Sequence, residues 1–170
     1  MKNIILIGMM GSGKTSIGKA ISKTASLSFI DTDAMIENRL NMTIPQIFSQ
    51  YGEAYFRSME ADAAQQAATC VNTVIATGGG MVTNPQSMTL LKASGFVVYL
   101  RCNPRLLYKR TAKDHNRPLL DTHMERLEKL ENLLSQRGHL YTQYSDFILD
   151  TDESTINELT EMILARVLER

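Results

Sequence analysis

The apolar run Ile4-Ile5-Leu6-Ile7 leads directly into Gly8-Met9-Met10-Gly11-Ser12-Gly13-Lys14-Thr15, which reads G-x-x-x-x-G-K-T. That spacing is a phosphate-binding P-loop, and each residue type in it has a physical task. Glycines let the backbone curl so that successive N–H groups point inward at phosphate oxygens, where a Cβ would block approach. Lys14 adds a point charge for the β- and γ-phosphates, a catalytic role, and the Thr15 hydroxyl is suited to Mg²⁺. Beyond it, Ile17, Ala20, Ile21, Thr24 and Ala25 recur at helical spacing. The loop therefore opens a helix whose N-terminal dipole also favours an anion. Gly11, Ser12, Gly13, Lys14, Thr15 and Ser16 are the expected contacts to the nucleotide's phosphates. A glycine-rich turn without a ligand is the alternative, but strand, loop and helix follow in the order that phosphate binding requires.

Working outward, the same rhythm repeats. Leu27-Ser28-Phe29-Ile30 predicts a second strand ending in Asp31-Thr32-Asp33, and residues 33–42 predict a helix. Thr43-Ile44-Pro45-Gln46 is a capping box for a short helix through Phe48, Gly52 interrupts, and residues 53–68 are rich in helix formers. Thr73-Val74-Ile75-Ala76 is a third strand, stopped by Gly78-Gly79-Gly80, three glycines that contribute no side chain to packing. Asn84-Pro85 and Asn103-Pro104 are cap-and-proline helix starts on either side of Phe96-Val97-Val98-Tyr99-Leu100, a strand apolar enough to be covered on both faces. Residues 111–122 carry no period and predict a lid, since a structureless stretch of that length is uncommon unless functional. A helix from about His123, a fifth strand Phe147-Ile148-Leu149 and a boxed final helix from Thr155 complete the chain. Strands alternating with helices predict an α/β three-layer sandwich around a parallel sheet, with ligands at the strands' carboxyl ends.

The chain has 170 residues, 44% of them hydrophobic, which suits one domain spanning 1–170. Lys plus Arg and Asp plus Glu both number 18, so no global field recommends nucleic acid or an anionic membrane as partner. No apolar run approaches the roughly twenty residues that span a bilayer, and the first strand begins too early for a leader peptide, so a cytoplasmic protein is expected. Cys70 and Cys102 lack metal-site spacing and are expected as small core residues. Nothing suggests an extensive apolar interface, and a monomer is expected.

Beyond the P-loop, Asp31 and Asp33 stand two residues apart at a strand end, which in extended geometry sends both carboxylates to one side. One suits the water shell of Mg²⁺ and the other suits accepting a proton from an attacking hydroxyl; the alternative for Asp33 is a helix cap. Arg57 and Glu60 are spaced as an ordinary surface ion pair. Arg137 instead interrupts the apolar stripe of its helix between Leu134 and Tyr141, where a charge must snorkel or meet an anion. With Arg110 and Arg117 near the aperiodic stretch, four arginines around a P-loop suggest a doubly anionic pocket.

These residues together resemble the shikimate kinase family. The resemblance rests on the P-loop, Phe29-Ile30-Asp31-Thr32-Asp33, Ile44-Pro45-Gln46-Ile47-Phe48, Gly52-Glu53-x-x-Phe56-Arg57-x-x-Glu60, Ala76-Thr77-Gly78-Gly79-Gly80, Arg117-Pro118-Leu119-Leu120 and Arg137-x-x-x-Tyr141, in that order along nearly the whole chain. It implies a five-stranded sheet of order 2-3-1-4-5, an acceptor-binding region about 31–62, a lid about 111–122, and phosphoryl transfer from ATP to the 3-hydroxyl of shikimate in aromatic amino acid biosynthesis. By the resemblance, Arg57 and Arg137 grip the shikimate carboxylate, Glu60 holds Arg57, and Phe48 and Phe56 wall the ring. Asp33, Gly79 and Gly80 bind its hydroxyls, with Asp33 as base. Thr15 ligates Mg²⁺ directly and Asp31 through water, Arg117 meets the transferring phosphate, and Arg110 lies against adenine. Family members often place a proline after the last strand; Thr151-Asp152-Glu153-Ser154-Thr155 has none. The rival readings are a gluconate or nucleoside monophosphate kinase, and, from another class, a GTP-dependent switch or a silent nucleotide-binding module. The switch normally needs an N-K-x-D segment, which the chain lacks.

Overall fold

The computed structural model describes residues 2–112 and 126–169. Strand β1 (Asn3–Ile7) is its centre, because its side chains find apolar cover on both faces. Ile4 and Leu6 point into one cluster with Ile17, Ile21, Val98 and Ile163, and Ile5 and Ile7 into another with Ile75, Val97, Met88 and Tyr99. Alternation with no polar side is what a sheet buried between helical layers demands. Around it lie β2 (Ser28–Asp31), β3 (Thr73–Ala76), β4 (Gly95–Arg101) and β5 (Phe147–Asp150), all parallel, in the order β2-β3-β1-β4-β5. The expected sheet order is thus observed.

Helices α1 (Lys14–Ala25) and α7 (Ile156–Leu168) cover one face, while α3 (Ile44–Ala68), α4 (Pro85–Ser94) and α6 (Arg126–Tyr144) cover the other. Helix α5 (Pro104–Thr111) follows β4, and α2 (Thr32–Leu40) follows β2. The caps read from sequence are present: Asn84 accepts from Ser87 N at 3.1 Å, Asn103 from Arg105 N at 2.9 Å, and Gln46 Oε1 from Thr43 N at 2.8 Å. A third apolar cluster, built on Ile36, Ile47, Phe56 and Ala63, lies between α2 and α3, apart from the two that flank the sheet.

Four local expectations need correction. The two helices expected on either side of Gly52 run end to end as α3, with Gly52 alone outside helical geometry (φ 81°, ψ 172°). Helix α2 begins at Thr32, so Asp33 lies in its first turn and not in an extended strand end. Thr111, expected at the start of the lid, is the last residue of α5, buried, its hydroxyl donating to Leu107 O at 2.8 Å. Cys102 is buried as expected, whereas Cys70 is only half-buried just beyond α3. Residues 113–122 of the expected lid, Arg117 among them, lie outside the described residues.

Candidate active site

The P-loop joins β1 to α1 at the carboxyl edge of the sheet. Gly13 caps α1 in the left-handed region (φ 96°, ψ 11°), a conformation that side chains with a Cβ disfavour. Lys14 folds back under the loop, its Nζ donating to Gly8 O and Met9 O at 2.8 Å each. This keeps a nine-tenths buried ammonium hydrogen-bonded at the floor of a cleft. Ser12 Oγ is buried in the same floor and has no hydrogen-bond partner among the described residues. A hydroxyl donor left open beside loop amides and an ammonium is chemistry that suits an anion.

The cleft measures about 610 Å³ and runs from residues 11–17 past Asp31, Asp33 and Gly79 on one side to Arg110, Thr151, Ser154 and Ile156 on the other. Arg110 spans its far wall, donating to Gly11 O at 3.4 Å and Thr151 O at 3.2 Å. In the loop that lacks the family's proline, Thr151 is buried and Ile156, the first residue of α7, is 46% exposed along the cleft.

Asp31 ties the two sides of the cleft together. Its Oδ1 accepts from Asp33 N at 3.1 Å and Ala34 N at 3.3 Å, capping α2, while its Oδ2 accepts from Thr15 Oγ1 at 2.7 Å. The cap is therefore Asp31, and the alternative reading of Asp33 as the cap does not hold. A hydroxyl and a carboxylate in contact at the mouth of a phosphate loop are hard oxygen donors of the kind Mg²⁺ takes. Among the described residues no cluster of three or more His, Cys, Asp or Glu could form a metal cage. One or two protein oxygens completed by phosphate and water fit Mg²⁺, which keeps much of its hydration shell.

The glycine run after β3 is used for close approach. A Cβ at Gly78 would stand 2.5 Å from Asp33 Oδ1 and 2.6 Å from Glu60 Oε1, and one at Gly80 would overlap the Arg57 guanidinium. The missing side chains are thus a packing requirement after all: two carboxylates and a guanidinium occupy their space. Gly79 sits against the P-loop backbone at Met10, and its carbonyl accepts from Arg137 Nη1 at 3.4 Å and Tyr141 Oη at 2.6 Å. Arg137 and Tyr141 are both buried on one face of α6, as residues four apart must be.

Arg57 and Glu60, which read in sequence as an ordinary surface pair, join a partly buried guanidinium to a buried carboxylate. Glu60 is 3% exposed and accepts from Arg57 Nη1 at 2.5 Å. Burial pushes the Glu60 carboxyl above its usual range, and Arg57 and Arg137 only partly oppose that. Burial also works to lower the Arg57 guanidinium, but Glu60 and Glu53 outweigh it and hold the group firmly charged. Phe56 lies beneath Arg57, 5.7 Å from ring centroid to guanidinium carbon, and packs on Phe48 at 4.9 Å between centroids. Burial likewise raises the Tyr141 phenol, so Tyr141 stays a donor to Gly79.

Sequence reasoning assigned no part to Thr32, whose hydroxyl accepts from Gly78 N at 3.0 Å, or to the hydroxyl of Tyr141. The four-residue step from Arg137 was the available signal for Tyr141.

A P-loop at the carboxyl edge of a 2-3-1-4-5 parallel sheet, facing Asp31, Asp33 and Arg110 across one cleft, is the architecture of a P-loop kinase for a small acceptor. The comparisons narrow this. A family model described as shikimate kinase matches residues 10–168. The shikimate kinase of Thermoanaerobacter pseudethanolicus is 42% identical over 96% of this chain and 95% of its own, and that of Burkholderia lata is 41% identical over 97% and 89%. The solved shikimate kinase of Acinetobacter baumannii, in complex with shikimate, superposes with a TM-score of 0.96 at 36% identity over 99% of this chain and 94% of its own. The chain belongs to the shikimate kinase family.

Proposed function

We infer that this protein is a shikimate kinase, moving the γ-phosphoryl group of ATP to the 3-hydroxyl of shikimate to give shikimate 3-phosphate and ADP. The family membership supports the reaction, and one observation supports the residue roles. The glycine run that abuts the P-loop also receives Asp33, Glu60, Arg57 and Arg137.

In this reading the residues 11–16 of the P-loop hold the ATP phosphates, and Lys14 leaves Gly8 O and Met9 O to neutralise charge on the transferring group. Arg57 and Arg137 grip the acceptor's carboxylate, and Gly79 and Gly80 allow the ring to approach the backbone. Asp33, near the N-terminus of α2 where negative charge is favoured, takes the proton of the attacking hydroxyl. The hydroxyl oxygen then bonds to the γ-phosphorus while the bond to the β–γ bridging oxygen breaks, and ADP leaves with that oxygen. Thr15 and Asp31 would hold Mg²⁺, which when bound screens phosphate charge. Arg110 and Ile156 form the adenine side, and Arg117 is assigned to the γ-phosphate with residues 111–122 as lid. The region 31–62 forms the acceptor-binding part of a single domain. We take the protein to be a cytoplasmic monomer; no described helix is long and apolar enough to cross a membrane.

The test is ADP release with MgATP over a panel of acceptors including shikimate, gluconate and nucleoside monophosphates. Shikimate is expected to trigger turnover, with little release to water alone. Turnover indifferent to shikimate would defeat the reading.

A further inference from the structure

The guanidinium of Arg57 is held by two carboxylates of different character. Glu60 takes Nη1 at 2.5 Å with its side chain 4% exposed, whereas Glu53 takes Nη2 at 2.9 Å with its side chain 53% exposed. Glu60 is a fixed support, packed beneath Gly78. Glu53 is a solvent-facing partner one helical turn earlier, and exposed pairs of that spacing are worth little.

The backbone explains why Glu53 can let go. It follows Gly52, whose φ of 81° and ψ of 172° break α3 and restart it. A Cβ at Gly52 would meet nothing within 4 Å, so the positive φ and not crowding is what calls for glycine there. Glu53 therefore opens the second run of α3, where a carboxylate remains favoured by the free N–H groups and helix dipole after it leaves Arg57.

We propose that Glu53 is an internal stand-in for the acceptor's carboxylate: it pairs with Nη2 of Arg57 until the acceptor enters and is displaced when it does. This rests on the reading of Arg57 as part of the acceptor's grip. The exchange keeps Arg57 paired and oriented at every stage, since Glu60 never leaves. It also makes Glu53 a positioning residue that weakens binding of any ligand able to fill that place, because each must first break the Glu53 contact.

Glu53→Gln separates this from the other parts Glu53 could play. Calorimetric titration would measure shikimate and its methyl ester, the ester being first shown to compete with shikimate, on wild type and variant. Displacement predicts that both ligands bind the variant more tightly, by about 1.5- to 5-fold, the range an exposed ion pair supports. A gain for shikimate alone would mean that Glu53 only repels an anion at a distance and would overturn the proposal. Equal or weaker binding of shikimate, with an unchanged melting temperature, would make Glu53 a support for Arg57 or an idle surface charge and would also overturn it. Failure of the wild type to bind shikimate would instead bring down the acceptor reading on which the proposal stands.

Discussion

The loop we read as the nucleotide half of the site and the side-chain cluster we read as its acceptor half are built by different means. The nucleotide half is mostly backbone: a short loop between β1 and α1, anchored on a strand whose residues are fully buried. The acceptor half is mostly side chains, gathered from α2, α3 and α6 onto one glycine run and supported by its own apolar cluster. A loop of amides is encoded by consecutive residues, so it survives as a recognisable string. Side chains gathered from distant segments depend on how helices pack. Changes in the acceptor half should therefore alter acceptor chemistry while leaving nucleotide binding nearly intact.

The sharpest test of that separation is Asp33→Asn. It retains size and hydrogen bonding but removes the base, and turnover is expected to fall by roughly 10²- to 10⁴-fold. MgATP affinity should hardly change. The melting temperature should also stay close to wild type, because the cap of α2 is Asp31. Near-normal turnover would take Asp33 out of the chemistry, and a matching loss of MgATP affinity would dissolve the distinction between the halves.

The same contrast governs what was legible beforehand. The strands, the caps and the P-loop follow from period and local spacing, the strand order from the family resemblance, and all of them stand in the structure as expected. The two aspartates both line the cleft, though not by strand alternation: Asp31 ends the strand by capping α2, so Asp33 reaches Gly78 from a helix. Which carboxylate caps is decided by where the chain turns, and D-T-D permits either. The glycine run was noticed as an oddity, yet its purpose depends on Asp33, Glu60 and Arg57 converging there from other segments. Burial of Glu60 was invisible for a similar reason, because an Arg and a Glu three residues apart read as solvated until a neighbouring strand end covers them.

Arg137→Ala should have the next largest effect. Arg137 is 7% exposed, so its truncation leaves a hole beside Gly79 and, in the proposed reading, takes away one charged contact to the acceptor. Shikimate binding should weaken by about 1.5–3 kcal/mol, or roughly 10- to 150-fold in Kd, with MgATP binding near normal. Calorimetry with each ligand checks this. Equal loss of both would indicate general damage to the fold and erase the contrast.

The smallest effect concerns stability, and it follows from Glu60. Burial raises its carboxyl pKa, and Arg57 and Arg137 oppose that only in part, so the surplus reaches the pH dependence of folding. The direction is nonetheless fixed. Between the ordinary glutamate value of about 4.3 and its raised value, the folded protein keeps a proton that the unfolded chain releases. The stability Glu60 contributes in this way is complete below the unfolded pKa and is lost as pH rises through the folded one. Glu60→Gln removes that titration and leaves the other carboxylates as they are, including Asp150, whose pKa its hydrogen bonds to Arg101 lower. The difference in melting temperature between wild type and Glu60→Gln should therefore shift against the wild type as pH climbs from about the ordinary glutamate value through the raised one, then level off. Arg57 stays charged throughout this window and cannot supply the slope. A difference that is flat, or that grows in favour of the wild type with pH, would mean that Arg57 compensates Glu60 fully. The acceptor half would then hold its buried charges without the cost to folding that sets it apart from the backbone-built nucleotide half.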